Sequence, residues 1–173
     1  MNGKFEPSKQ SIAELYYNPK VTYLIPQYQR PYSWEKVNWE ELFNTIKNDD
    51  NTYIGTVIYN TNLDDQNTKE IIDGQQRYLT ITILFAALRD LLMEIDKANG
   101  KEISVLGEKV YRTHIGDTDV FTEENKFFLK PGGTISNYFI ENIQKISNEF
   151  FKNTDTSIDL SSGSNAEEAL VYN

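Results

Sequence analysis

Between Gln75 and Lys97 the chain sets Leu79, Ile81, Ile83, Leu84, Phe85, Leu88, Leu91, Leu92 and Ile95 in a helical stretch, and these apolar positions cover more than one face. A helix that is apolar on several sides has to be wrapped by other elements, so the spacing predicts a central, buried helix with the fold built around it. What comes before it narrows the choice further. Lys69 to Asp73 reads as a short strand, and Gly74 is the single residue between that strand and the helix. A strand that turns on one glycine into a long helix leaves the first helical N–H groups without internal partners, facing outwards at the positive end of the helix dipole.

The other segments supply the wrapping. Ser11 to Tyr17 reads as a short helix stopped before Pro19, and Val21 to Ile25 as a β-branched run ended by Pro26. Ser33 is placed as the N-cap of a helix from Trp34 to about Lys47, with Trp39, Leu42, Phe43 and Ile46 as a core stripe. Tyr53 to Tyr59 reads as a strand, Asn60 to Thr68 as a polar turn, and the strand Lys69 to Asp73 closes a hairpin with it. After a break at Ala98 to Lys101 comes a weaker region. It holds Glu102 to Thr113, a loop through Asp117 and Asp119, the run Lys126 to Lys130, Pro131-Gly132-Gly133, and an amphipathic helix from Ile135 to Phe151. Asn153 to Asn173 is polar and serine-rich, with little to bury, and is expected to be a flexible tail or a truncated end. The expected class is therefore α+β, with a core over residues 8–98, a helical extension over 99–152 and the tail over 153–173.

Composition removes several functions. With no cysteine and only His114 as histidine, disulfides, thiolate metal sites, thiol nucleophiles and multi-histidine centres are excluded. His114 itself, in Tyr111-Arg112-Thr113-His114-Ile115, lacks a second histidine or a nucleophile motif and reads as structural. Against 26 acidic residues stand 17 basic ones, and a net charge of -9 argues against a broad grip on a phosphate backbone, though not against a local basic pocket. The pairs Asp64-Asp65, Asp117/Asp119 and Glu123-Glu124 read as solvated loop charges. No apolar run is long enough to span a membrane, and Met1 to Gln10 is polar, so a soluble cytoplasmic protein is expected.

Two stretches carry candidate chemistry. In Glu70-Ile71-Ile72-Asp73-Gly74-Gln75-Gln76-Arg77, the glycine permits close approach of an anion and Arg77 can add a bidentate grip on phosphate oxygens. The same spacing supports another reading. Asp73 followed three residues later by Gln76 forms a capping box that would satisfy those N–H groups internally. An aspartate beside a phosphate also repels it unless a cation intervenes, so an anion site here would require Mg²⁺ held by Asp73. The second stretch, Ile25-Pro26-Gln27-Tyr28-Gln29-Arg30-Pro31-Tyr32-Ser33-Trp34, concentrates aromatic, amide and guanidinium groups between stiffening prolines. Tyr28, Tyr32 and Trp34 could stack on a base, Gln27 and Gln29 read its edge, and Arg30 reach phosphate. Alternatively the aromatics close over the core and Arg30 makes an internal ion pair.

Over about residues 8 to 140 the ordered blocks Ile25-Pro26-x-Tyr28-Gln29-Arg30-Pro31-Tyr32-x-Trp34, Trp39 and Leu42, Tyr53-Ile54-Gly55-Thr56-Val57, Ile72-Asp73-Gly74-Gln75-Gln76-Arg77 and Leu79-Thr80 resemble the N-terminal domain of GmrSD-type modification-dependent restriction enzymes. The resemblance implies a fold related to the ParB and sulfiredoxin nucleotide-binding core, and an NTPase-like role with the Asp-Gly-Gln-Gln-Arg block as its signature. On that basis Asp73, Gln76 and Arg77 are the expected catalytic residues, with Asp73 also holding Mg²⁺. Tyr28, Gln29, Arg30, Trp34, Gly74 and Gln75 are the expected nucleotide contacts, and an NTP with Mg²⁺ is the expected ligand. Larger relatives couple this domain to a His-Asn-His nuclease domain in defence against phage with modified DNA. One histidine leaves no room for that domain here, so DNA cleavage would fall to a partner or to a further part of the protein. Tyr78 departs from the leucine that relatives usually carry after the arginine. The alternative function is a non-catalytic sensor or adaptor that binds modified DNA or a nuclease partner.

Overall fold

The computed structural model describes residues 6–16, 20–48, 52–61, 63, 65–101, 104–118, 125–133 and 135–146. In chain order the elements are α1 (Ile12–Tyr16), β1 (Thr22–Leu24), α2 (Lys36–Asn48), β2 (Ile58–Asn60), β3 (Thr68–Asp73) and α3 (Gln75–Ala98). There follow α4 (Val105–Val110), a π-helical turn (Tyr111–Ile115), β4 (Gly116–Thr118), β5 (Asn125–Phe127), β6 (Leu129–Lys130), α5 (Ser136–Phe139) and a second π-helical turn (Ile140–Gln144). The class is α+β, as the alternation of periods predicts.

Four strands form a mixed sheet in the order β2-β3-β1-β6, and β4 pairs with β5 apart from it. The short β1 holds the middle of the sheet. It runs parallel to β3, with Thr22 opposite Thr68, and parallel to β6, with Tyr23 opposite Leu129. β2 and β3 form the expected antiparallel hairpin, with a register shift between Ile58 and Tyr59. The extension thus supplies a strand to the same sheet that carries the motif-bearing β3.

α3 crosses this sheet and buries Tyr78, Leu79 and Ile81 against Tyr23, Ile25, Ile71, Leu129 and Phe139. Tyr78, the departure from leucine, stacks on Tyr16 with ring centroids 4.6 Å apart, and the Tyr16 hydroxyl donates to the Tyr78 carbonyl at 2.8 Å. α4 lies along α3 because Gly107 offers no side chain: a Cβ there would stand 2.6 Å from Met93 Cγ. Ser104 caps α4 by accepting the Gly107 N–H at 3.1 Å and donates its hydroxyl to Asp96 at 2.8 Å. Lys101 completes the junction on the other Asp96 oxygen at 2.6 Å. These contacts hold the Asp96 carboxyl below the usual carboxylate range, the Lys101 bond first and the Ser104 bond second.

Arg89, 2% exposed, fastens the end of the extension to α3 by donating to the carbonyls of Gln144 at 2.9 Å and Ile143 at 3.1 Å. Gln144 in turn donates to the Leu129 carbonyl at 2.8 Å. Those carbonyls are therefore answered by a side chain instead of a further helical turn. Regular helix gives way to a π-helical turn, and Lys145 leaves in an extended conformation. The helix expected from Ile135 to Phe151 is thus shorter, and its residues 147–151 lie outside the described residues, as do the tail over 153–173, Asp64, Asp119 and Glu123-Glu124. The region expected to be weak, Glu102 to Thr113, is helical from Val105 onwards.

Four further expectations are corrected by the structure. α2 begins at Lys36 and not after Ser33: its hydrogen bonding starts at the Glu35 carbonyl, which accepts the Asn38 N–H at 2.9 Å, while the Glu35 N–H donates to Asn38 Oδ1 at 2.9 Å. Of the stripe on α2, Leu42 is buried and Trp39 and Ile46 half-buried, but Phe43 is exposed. Tyr53 to Val57 is not strand: Gly55 sits at φ 113 and the Thr56 carbonyl is spent on Arg77. Finally, α3 is enclosed only over its first half. Beyond Leu84, Leu88, Leu91 and Ile95 are 44%, 52% and 47% exposed on the face turned away from the core.

Candidate functional site

One small cavity lies among the described core residues. At about 10 Å³, among Tyr16, Tyr23, Tyr78, Thr82 and His114, it matches one water molecule at most. His114 lies beside it, half-buried and stacked on Phe85 at 4.1 Å, and burial pushes its pKa down, with the Tyr16 backbone opposing. This is a packing role. The chemistry-bearing groups converge elsewhere, at the surface turn from β3 into α3.

Along β3 the side chains divide by side: Ile71 is fully buried, whereas Ile72 and Asp73 are exposed. Gly74 then takes a left-handed conformation, φ 89 and ψ 10, which L side chains seldom adopt. It is also hemmed in, since a Cβ would stand 3.0 Å from the Thr56 carbonyl oxygen and 3.1 Å from Val57 Cγ2. Gly74 is the residue that caps α3, and no side chain caps it. The capping box permitted by the Asp73 to Gln76 spacing is therefore not formed. Among the described residues the N–H groups of Gln75, Gln76 and Arg77 have no acceptor, and the helix ladder starts with the Tyr78 N–H on the Gly74 carbonyl at 3.0 Å.

Both glutamines of the block turn inwards, 6% and 3% exposed, and act on the Pro-rich loop. Gln76 spends its whole amide on backbone, accepting the Ser33 N–H at 2.8 Å and donating to the Pro31 carbonyl at 2.9 Å. Gln75 donates to the Arg30 carbonyl at 3.0 Å, while its Oε1 is buried without a partner. From the loop side Gln29 donates to the Ile72 carbonyl at 2.9 Å. Three amide side chains thus zip residues 29–33 onto the turn, each imitating a backbone hydrogen bond where no strand pairing exists.

That zipper decides which loop groups are presented. Tyr32 is buried, its hydroxyl 2.7 Å from Thr80 Oγ1, and Trp34 is half-buried against the core cluster. These two aromatics close over the core, in line with the bland reading of the loop. Tyr28 does the opposite: it is 72% exposed and touches Glu70 through its hydroxyl at 3.4 Å. Arg30 is exposed, and among the described residues its guanidinium makes no ion pair. Asp73 is likewise exposed with no hydrogen bond to its carboxylate among the described residues.

Arg77 is held by a segment that sequence reasoning assigned to a strand. Its Nη1 donates to the Thr56 carbonyl at 2.9 Å, and its guanidinium lies against Gly55. A Cβ on Gly55 would stand 2.5 Å from Arg77 Cζ. Tyr53, 74% exposed, is tied to Thr56 through their hydroxyls. The Tyr53 to Val57 loop therefore packs into the notch at Gly74 and steers Arg77 along the start of α3. Gly55 and Thr56 stood in a family block of the sequence, but their part in holding Arg77 was not foreseen. The available signal was a glycine interrupting an apparent strand, which marks close backbone approach.

Chemically, the turn combines three unclaimed backbone donors, a fixed guanidinium with donors to spare and an open carboxylate. Among the described residues no three acidic or histidine side chains converge as a metal cage. A single carboxylate next to an anion site suits Mg²⁺, which is commonly held by one or two carboxylates together with substrate phosphates.

The family model of the GmrSD restriction endonuclease N-terminal domain matches residues 12–171. The chain belongs to this family. No curated protein matches it. The match takes in both attached loops, the turn and α3, so the GmrSD-type N-terminal domain is represented here by its motif-bearing core together with the extension that completes its sheet. Among the described residues of this domain no helix is long and apolar enough to cross a membrane.

Proposed function

We propose that this domain binds a nucleoside triphosphate with Mg²⁺ and hydrolyses it, as the regulatory part of a restriction system directed at phage DNA. The observation that carries the reading is the set of free N–H groups of Gln75, Gln76 and Arg77 beside an arginine held in place by the Thr56 carbonyl. Such a helix start accepts phosphate oxygens, and an arginine fork adds charge-assisted bonds to them. Family membership supports placing the domain in a restriction system with a nuclease partner acting on DNA. The strand, glycine and helix succession supports a ParB- or sulfiredoxin-like cradle.

In this reading the backbone N–H groups of Gln75, Gln76 and Arg77, set free by the turn at Gly74, receive phosphate, and the side chains of Arg77 and Arg30 stabilise transferred charge. Asp73 would hold Mg²⁺, which when bound neutralises phosphate charge. Gln75 and Gln76 act through the loop they fix. Gln29 does the same and sets Tyr28 as the exposed aromatic available to a base, while Trp34 backs that loop from the core side. Isothermal titration with a panel of NTPs, with and without Mg²⁺, tests the proposal. Binding is expected only with the metal, and Asp73→Ala should abolish phosphate release while leaving the melting temperature unchanged, since Asp73 caps nothing. Silence for every nucleotide rejects the reading.

A further inference from the structure

The cavity among Tyr16, Tyr23, Tyr78, Thr82 and His114 lies where α1, β1, α3 and the first π-helical turn meet. Among the described residues four side-chain atoms are buried without a hydrogen-bond partner. Two of them, the Tyr78 hydroxyl and His114 Nδ1, belong to residues that line this cavity. A buried polar atom left unpaired is costly, and native folds leave few of them. Two such atoms beside a volume of about 10 Å³ make a site for one small polar molecule. We infer that a resident water molecule bridges the Tyr78 hydroxyl to His114 Nδ1 and so pins the start of α3 to the extension.

The polarity of each partner selects water. Burial drives the Tyr78 pKa far above its ordinary value, so its hydroxyl keeps its proton and can donate it. On His114 burial lowers the pKa, and the Tyr16 backbone raises it, as a carbonyl does when a ring N–H donates to it. Since Nδ1 is unpaired, the nitrogen facing Tyr16 is Nε2, which leaves Nδ1 as the acceptor of the neutral ring. Water can accept from Tyr78 and donate to Nδ1 at once. An ammonium ion of similar size could donate to Nδ1 but would leave the Tyr78 proton unanswered. Thr82 spends its own proton on the Tyr78 carbonyl at 3.0 Å, so its oxygen can take the second water proton. Three partners are what a buried water typically makes. Beyond its stacking on Phe85, His114 thereby joins a polar bridge that ties the π-helical turn to α3.

The full chain has a single histidine, so its imidazole nitrogens are read without ambiguity by nitrogen-15 NMR. At neutral pH the proton is expected on Nε2, with Nδ1 bare and shifted as a hydrogen-bond acceptor. A crystal structure of the full chain should show one ordered water within about 3 Å of both Tyr78 Oη and His114 Nδ1. Tyr78→Phe supplies the sign of the effect. A dry site would be relieved of an unpaired hydroxyl and melt later. A watered site loses its bridge, so the variant should melt earlier, its unfolding constant raised about three- to tenfold. Three results overturn the inference: a proton on Nδ1, a crystal structure in which Tyr78 bonds directly to His114 or Tyr23 with no water between, and a Tyr78→Phe chain that melts later. Should that variant fail to fold, the two measurements on the unaltered chain decide alone.

Discussion

Gly55→Ala probes the contact that fixes Arg77. The new methyl carbon would stand 2.5 Å from Arg77 Cζ, where ordinary contact begins at 3.4 Å, so the guanidinium must move by about 1 Å. Such a shift breaks its 2.9 Å bond to the Thr56 carbonyl. Because that bond is exposed, its loss costs about 1 kcal/mol, below the range of about 1.5–3 kcal/mol for hydrogen bonds to charged groups. Alanine at φ 113 adds backbone strain of about 1–3 kcal/mol. The single variant should therefore lose about 2–4 kcal/mol in urea unfolding. The two contributions separate in a double-mutant cycle. With Arg77→Ala already present there is no guanidinium to displace, so Gly55→Ala should cost only its backbone share, leaving a coupling of about 1 kcal/mol. Nucleotide affinity should follow the same pattern, falling in each single variant and no further in the double. Additive stabilities within about 0.3 kcal/mol would refute the claim that Gly55 acts through Arg77.

Gln76→Leu should strip the Ser33 N–H and the Pro31 carbonyl of their partners at a part-buried site, lowering stability by about 2–3 kcal/mol in urea unfolding; an unchanged midpoint would show that the amide clamp is dispensable. Acid should weaken the fold in two windows. The folded pKa of His114 is depressed, so the unfolded chain binds the extra proton, and stability present above about pH 6.5 is lost as the pH falls through the lower folded value. Asp96 repeats this below about pH 4, where protonation releases Lys101 and Ser104. Melting temperatures against pH should flatten near pH 6 in His114→Gln and below pH 4 in Asp96→Asn, and parallel curves for wild type and variants would contradict both assignments.

Much of this molecule was legible in the order of its residues. A period of 3.6 over Gln75 to Ala98, a short β-branched run at Ile71-Ile72 and a glycine between them specify the strand, turn and helix, because those signals are local and the backbone answers to them directly. The Pro-rich loop and the turn block were recognisable from the same stretches. Their joint meaning was not. A sequence cannot distinguish an Asp-x-x-Gln that caps its own helix from one whose glutamine reaches across to a loop some forty residues earlier, and only the fold shows the Gln76 amide on Ser33 and Pro31.

Tertiary structure likewise decided that Tyr53 to Val57 would not extend the sheet. Its residues favour a strand, but the Thr56 carbonyl accepts from Arg77 and Gly55, at φ 113, lies against the Arg77 guanidinium, so neither forms a further rung on β3. The same holds for the end of the extension, where Arg89 takes the carbonyls that another helical turn would have used. Local patterning fixed which segments are helix or strand, since each residue's backbone preference and the repeat of its apolar neighbours act within a few positions. Long-range partners fixed which polar groups stay free, since a donor or acceptor is claimed by whatever the folded chain brings within about 3 Å of it.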